Sequence, residues 1–139
     1  MPVSLDFDAS HRYGEAIDGI EIPIALSVGR QSVELIAKLD TGAANCIFER
    51  KYAEILGLDI ESGRLQQFRT VAGSFAAYQH EVTIQTLGIE FSAVVFFAQD
   101  ASFSRNFLGR SGWLERVRVA IVEYDRVLFL SPYDSSSSN

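Results

Sequence analysis

Cysteine is nearly missing from this chain: Cys46 stands alone in 139 residues. One thiol builds neither a disulfide framework nor a thiolate metal cluster, which points to a reducing, cytoplasmic setting. Cys46 sits in an apolar stretch with no histidine close in sequence to activate it, so it reads as a small core residue and not as a nucleophile. Histidine is scarce as well. His11 and His80 are far apart, with no companion cysteines or paired acids at ligand spacing. No metal site is expected, and both read as solvated or hydrogen-bonded side chains. Positive charge is the minority, with 12 Lys and Arg against 18 Asp and Glu, a net charge of −6 and a pI near 4.8. The basic residues are scattered, and without a stripe to follow a phosphate backbone nucleic acid is not expected as a partner. No charged segment followed by an apolar stretch opens the chain, and no apolar run is long enough for a bilayer. Neither a signal peptide nor a membrane span is expected.

What the chain does have is apolar bulk: 47% hydrophobic residues and ten phenylalanines. That suits one domain burying about two-thirds of its unfolded surface. Val3-Ser4-Leu5-Asp6-Phe7-Asp8 alternates apolar and polar, the pattern of a half-buried strand, and 10–19 reads as a loop. Strands over 20–28 and 33–39 form a hairpin through Gly29-Arg30-Gln31-Ser32. A short strand at Cys46-Ile47-Phe48 precedes a helix over 49–56, with Tyr52, Ile55 and Leu56 on one face, Gly57 as its cap and Leu58 packing back. Strands follow over 65–71 and 78–86, joined through Ala72-Gly73-Ser74-Phe75-Ala76, and Leu87-Gly88 turns into a strand over 91–97. After a polar loop over 99–105 come Phe107-Leu108-Gly109-Arg110, a short helix over 111–115, and strands over 117–122 and 127–130 that turn at Tyr124-Asp125. The serine-rich end, 131–139, reads as frayed. The expected architecture is mostly β, with short hairpins and two small helices.

The chemistry concentrates at Asp40-Thr41-Gly42-Ala43, directly behind the run Val33-Glu34-Leu35-Ile36-Ala37-Lys38-Leu39. An ordinary Asp-initiated turn after a strand is one reading, because Asp and Gly dominate turns. The other is a carboxylate at a strand exit, braced by a threonine hydroxyl and followed by small residues: half of an aspartic peptidase site. Peptide hydrolysis of that kind needs two facing aspartates, one taking a proton from water and the other, protonated, polarising the scissile carbonyl. Two such charges about 3 Å apart at an effective dielectric near 20 repel by roughly 5 kcal/mol, enough to keep one shared proton between them. The chain holds no second Asp-Thr-Gly or Asp-Ser-Gly and is too short for two lobes. A catalytic Asp40 therefore needs Asp40 of a second copy across a two-fold axis, and a lone chain would be inactive.

Three signals in order carry a resemblance: Leu39-Asp40-Thr41-Gly42-Ala43 after a hairpin, the helix ending Ile55-Leu56-Gly57-Leu58, and Phe107-Leu108-Gly109-Arg110 before a short helix. On these the chain resembles the single-domain retropepsin-like aspartic peptidases over most of residues 20–130. The resemblance implies a retropepsin-like closed β-barrel, with 1–19 as an N-terminal extension carrying a dimer or edge strand and 131–139 as a flexible tail. It implies Asp40 as the catalytic carboxylate, Thr41 bonding across the two-fold axis, and Gly42 bringing its amide to the carboxylate. Ala72, Gly73 and Ser74 would form a flap closing over an extended peptide, with Gly73 as a hinge. Ala43, Phe107, Leu108, Gly109 and Arg110 would support the site, Gly109 by allowing close backbone approach. It further implies a homodimer acting on peptide or protein substrates with no cofactor. Two positions depart from the viral pattern. Ala44 and Asn45 follow where an acidic partner for Arg110 is usual, and the flap tip is less glycine-rich. Residues 3–8 and 127–130 each suit a dimer strand or a covered edge strand of one chain. Ser111 suits capping of the short helix, Trp113 suits the core, and Phe75, Tyr78 and Phe107 suit substrate pockets. A different class stays open beside the enzyme: a non-catalytic peptide-binding or assembly module on the same fold.

Overall fold

Alternating apolar and polar residues settle into a strand wherever a partner edge is within reach, and here the edges decide which stretches pair. The computed structural model describes residues 1–15 and 19–135. Its strands are β1 (Ala9–Arg12), β2 (Ile20–Val28), β3 (Gln31–Leu39), β4 (Ile47–Phe48), β5 (Arg64–Thr70), β6 (Gly73–Thr86), β7 (Ile89–Ala98), β8 (Phe107–Leu108), β9 (Val117–Val122) and β10 (Val127–Pro132). One α-helix, α1 (Arg50–Ile55), lies between β4 and β5. Seven strands pair in the order β2-β3-β8-β4-β7-β6-β5, and β6 also pairs with β2, so the ladders run in a ring with β5 outside it. Strand β6 can do this because it divides one edge: Gly73 to Gln79 pair with β5, and Thr83 to Thr86 pair with β2. A separate three-stranded sheet runs β1-β10-β9.

The inward rows of both sheets meet in one core. Ile22, Ile24 and Leu26 from β2, Val82 and Ile84 from β6, and Val95 and Phe97 from β7 join Leu128 and Leu130 of β10 and the fully buried Trp113. A second cluster, Ile47, Ala77 and Phe96 with Phe68, Phe75, Phe103 and Phe107 against it, sits where β5 and β6 fold over the β4–β7–β8 end of the ring. Among the described residues no helix is long and apolar enough to cross a membrane.

Most expected elements are in place, and both hairpin turns close in two residues, Gly29-Arg30 and Leu87-Gly88. Helix α1 ends as its glycine predicts. Gly57 adopts φ +73, its N–H donates to Glu54 O (3.0 Å), and the Leu58 N–H donates to Ala53 O (3.1 Å), which brings Leu58 back onto the core. Its inward face differs from the expectation, however: Ala53 and Leu56 are buried with Tyr52 half-buried, while Ile55 points out.

Four further corrections have physical causes. Residues 3–8 form no strand, and β1 begins at Ala9 and runs to Arg12, into the expected loop. Asp8 N–H donates to Leu130 O at 3.1 Å, but β10 ends at Pro132, which has no N–H, so nothing remains for residues 3–7 to pair with. The end of the chain is ordered further than a frayed tail: Ser131 is fully buried in β10, its hydroxyl accepting from Asp8 N–H at 2.7 Å. The second expected helix is only a 3-10 turn at Leu114–Arg116, because Gly112 at φ +100 keeps the backbone out of helix until Trp113. Ser111 does not cap it; the Gly112 N–H donates instead to the Glu115 carboxylate (3.2 Å). The expected five-residue link between β5 and β6 is also shorter, a two-residue turn at Val71-Ala72 with Gly73 already paired to Thr70. The parts of the expected loop and tail at 16–18 and 136–139 lie outside the described residues.

Burial separates the consequences of two similar truncations. Leu128→Ala, at a fully buried site, is expected to lower unfolding free energy by about 2–5 kcal/mol. Ile55→Ala, at a residue 52% exposed, should stay within about 0.5 kcal/mol, both read by urea melts with unchanged slope.

Candidate active site

Strand β3 hands the chain to Asp40 and β4 takes it back at Ile47; between these two strands, inside the loop they bracket, runs β8. It pairs in parallel with β3 (Lys38↔Phe107, Leu39↔Leu108) and antiparallel with β4 (Ile47↔Phe107). The loop is therefore stapled at both feet by the same two residues. Asp40 N–H donates to Leu108 O (2.9 Å), Arg110 N–H to Ala43 O (2.8 Å), and Ser111 N–H to Ala44 O (2.8 Å). Gly109 lies at the crossing, where an added Cβ would stand 2.2 Å from Asn45 O and 2.8 Å from Ala43 O. Only a residue without a side chain lets the two backbones pass at this separation.

Within the loop the Asp40 carboxylate is held by its own turn. Gly42 N–H donates to Asp40 Oδ1 (3.0 Å), and Ala43 N–H donates to Asp40 O (3.1 Å). Asp40, Thr41 and Gly42 are all exposed, and among the described residues the Thr41 hydroxyl has no hydrogen bond. The turn thus presents a fixed carboxylate oxygen and an unengaged hydroxyl outward. Beside it lies a cleft of about 320 Å³ whose lining includes Glu21, Lys38, Asp40, Arg105 and Phe107. On its other side Thr41, Ala44, Arg110 and Glu115 border an open depression of about 610 Å³. Arg110 is exposed, and with Ala44 where an acid would stand its guanidinium has no ion pair among the described residues.

The expected flap residues do not line either hollow. Ala72, Gly73 and Ser74 stand exposed at the far end of the β5–β6 hairpin. Just inside its tip that hairpin is held by rings. Phe68 and Phe75 stack across the two strands with centroids 5.3 Å apart, Phe68 meets Phe96 of β7 edge-on at 5.0 Å, and Phe75 meets Phe103 at 4.6 Å. Phe75 and Phe107 are thus half-buried members of one aromatic cluster, and of the two only Phe107 also borders the Asp40 cleft.

Two supporting residues escaped the sequence reading. Asn106, just before β8, accepts from Glu49 N–H through Oδ1 (2.9 Å) and donates through Nδ2 to the Glu49 carboxylate (2.6 Å), tying the start of α1 to the strand beneath the active loop. A polar residue directly preceding Phe-Leu-Gly was the available signal. Arg105 is the other, as a wall of the cleft. Cys46 is core, as expected. Burial pushes its thiol up to about 12, outweighing the Gly109 N–H that donates to Sγ at 3.3 Å. His11 and His80 bond to the carbonyls of Glu21 (2.9 Å) and Ile60 (2.8 Å).

No protein-family model and no curated protein matches the sequence. Solved structures do match in fold. A retropepsin-like aspartic protease from Rickettsia conorii superposes with a TM-score of 0.64 at 19% identity, over 88% of this chain and 96% of that one. EIAV protease, in complex with the inhibitor HBY-793, superposes with a TM-score of 0.52 at 20% identity, over 70% of this chain and 86% of that one. The fold is retropepsin-like.

The crossing and the thiol yield separate expectations. Gly109→Ala should destabilise the protein by about 3 kcal/mol, since backbone and not a flexible side chain receives the new methyl. With its thiol at about 12, Cys46 is thiolate in only about one molecule in 10⁴ at pH 8, so an aromatic disulfide reagent should label it only after denaturant is added.

Proposed function

We propose that two copies of this chain form an aspartic endopeptidase, with one Asp40 from each activating water against a peptide bond. The observation that carries the reading is the Asp40 turn itself: a carboxylate held at Oδ1 by the Gly42 amide, on a loop clamped at both ends by β8, on the surface of a retropepsin-like fold. A single chain offers half of such a site, because the sequence has no second Asp-Thr-Gly or Asp-Ser-Gly. The exposed Thr41 hydroxyl suits a bond to its counterpart across the two-fold axis, and the open depression around Thr41 and Arg110 suits the facing copy.

In this reading the ring of ladders is the closed barrel of the fold, and the β5–β6 hairpin is the flap. Its ring-held part stays in place while the Val71-Ala72 tip and Gly73 move over an extended peptide, which the flap edge holds by backbone hydrogen bonds. Once the dimer brings the two carboxylates together, one proton is shared between them. The ionised member takes a proton from water as the water attacks the carbonyl carbon. The protonated member donates to the carbonyl oxygen, and the amine leaves with a proton as the tetrahedral species collapses. No cofactor enters, and the single reduced thiol suits a cytoplasmic setting.

The test is digestion of a diverse peptide mixture from pH 3 to 8 by wild type and Asp40→Asn. Asp40 is exposed, so the variant should fold normally, while cleavage falls about 10²–10⁴-fold. Wild-type turnover per chain should also fall as the enzyme is diluted below its dimer constant. Full activity in Asp40→Asn would end the proposal, and a stable dimer that cuts nothing would point to the binding module instead.

A further inference from the structure

This protein is acidic overall, yet among the described residues no acid engages the arginine in the cleft beside Asp40. Six of its twelve basic residues are held by acids or backbone carbonyls: Arg50 by Glu61 and Glu54, Lys51 by Glu49, Arg126 by Glu15, and Arg12, Arg116 and Arg118 by carbonyls. Arg105 differs. Its guanidinium lies 5.7 Å from the centre of the Phe107 ring, and among the described residues it makes no ion pair or hydrogen bond. The ring fixes the group's position without neutralising it, because a π face attracts a cation but removes none of its charge.

The other charges of the cleft do not answer Arg105. Glu21 and Lys38 stand opposite each other in the β2–β3 ladder, so their charges offset at this scale. In the proposed dimer the two Asp40 carboxylates share a proton. An apolar side chain entering here would strip water from the guanidinium and return nothing, whereas a carboxylate would form a charge-assisted, bidentate pair. Ser104 in the same wall adds a hydroxyl beside it, while Asn106 is engaged by Glu49.

Resting on the peptidase reading, we infer that Arg105 is a specificity-determining residue that selects an acidic side chain, Glu or Asp, in the bound peptide. The carboxylate reaches across the cleft to Arg105 while the peptide backbone passes Asp40, which separates the substrate's charge from the dyad. Arg105 is exposed and in a loop between β7 and β8, so it can be replaced without disturbing the fold.

Binding decides this without depending on turnover. Fluorescent peptides with amidated C-termini, one carrying Glu and its twins carrying Gln or Lys, are titrated into the Asp40→Asn protein at pH 6 and low salt by anisotropy. A Gln peptide with a free C-terminal carboxylate is the fourth probe. The Glu peptide should bind about tenfold more tightly than the Gln peptide, with the gap shrinking as salt is raised. In Asp40→Asn/Arg105→Glu the gap should vanish and the Lys peptide should become the tightest. Equal affinities, no binding by any peptide, a gap that survives Arg105→Glu, or preference for the free C-terminus alone would each overturn the inference. Cleavage retained in Asp40→Asn would instead overturn the catalytic reading, leaving the binding preference to be judged on its own.

Discussion

Everything near Asp40 depends on two backbones passing closer than any side chain allows. Strand β8 contributes only Phe107 and Leu108 to the sheet, yet it bonds to both strands that bracket the active loop. Leu108 is fully buried, so the staple is anchored in the core and not at the surface. The loop's outward residues can then be small, polar and exposed without being loose, because their positions are set from beneath by carbonyl and amide bonds at 2.8–2.9 Å. In the proposed peptidase a site prepared in this way would keep its carboxylate oriented before substrate arrives, and pre-orientation of that kind is where much catalytic advantage originates.

The sequence was legible where local chemistry and tertiary contacts agree. The Gly29 and Gly88 turns and the Gly57 helix stop each rest on a positive-φ conformation that few residue types adopt, and the Asp40 turn rests on a carboxylate that accepts from its own loop. It misled where the answer depended on a distant edge. The alternation in 3–8 is a valid strand pattern, but a strand needs a partner, and Pro132 ends the one on offer. Ser131 reads as tail by composition and proves buried, because its hydroxyl completes the bonding of Asp8 and its neighbours 123 residues away in sequence. The Gln99-to-Arg105 stretch looked like a featureless polar loop. Its role appears only when the fold sets Arg105 beside Asp40 and Phe103 against the hairpin.

The site's polarity follows the same division. The residues that fix geometry, Leu108, Gly109 and Cys46, are buried and apolar or small, and the buried thiol is electrically silent. The residues proposed to meet a partner or ligand, Asp40, Thr41, Arg105 and Arg110, are exposed and, among the described residues, lack strong partners beyond the Asp40 turn. Stability and recognition are therefore assigned to different atoms of the same loops, and substitutions can alter one with little effect on the other.

The ring cluster near the tip of the β5–β6 hairpin also has a kinetic meaning. Phe75 belongs to the hairpin and Phe103 to the loop that carries Arg105, so lifting the whole hairpin must break a contact with the cleft's own wall. The two aromatic contacts that leave the hairpin, Phe68 with Phe96 and Phe75 with Phe103, at about 0.5–1.5 kcal/mol each would hold a fully raised hairpin to roughly a fifth of the population or less. In the proposed peptidase gate and wall are one mechanical unit, so a substitution at Phe68 or Phe103 would reset how often the cleft admits a peptide and also which peptide it prefers.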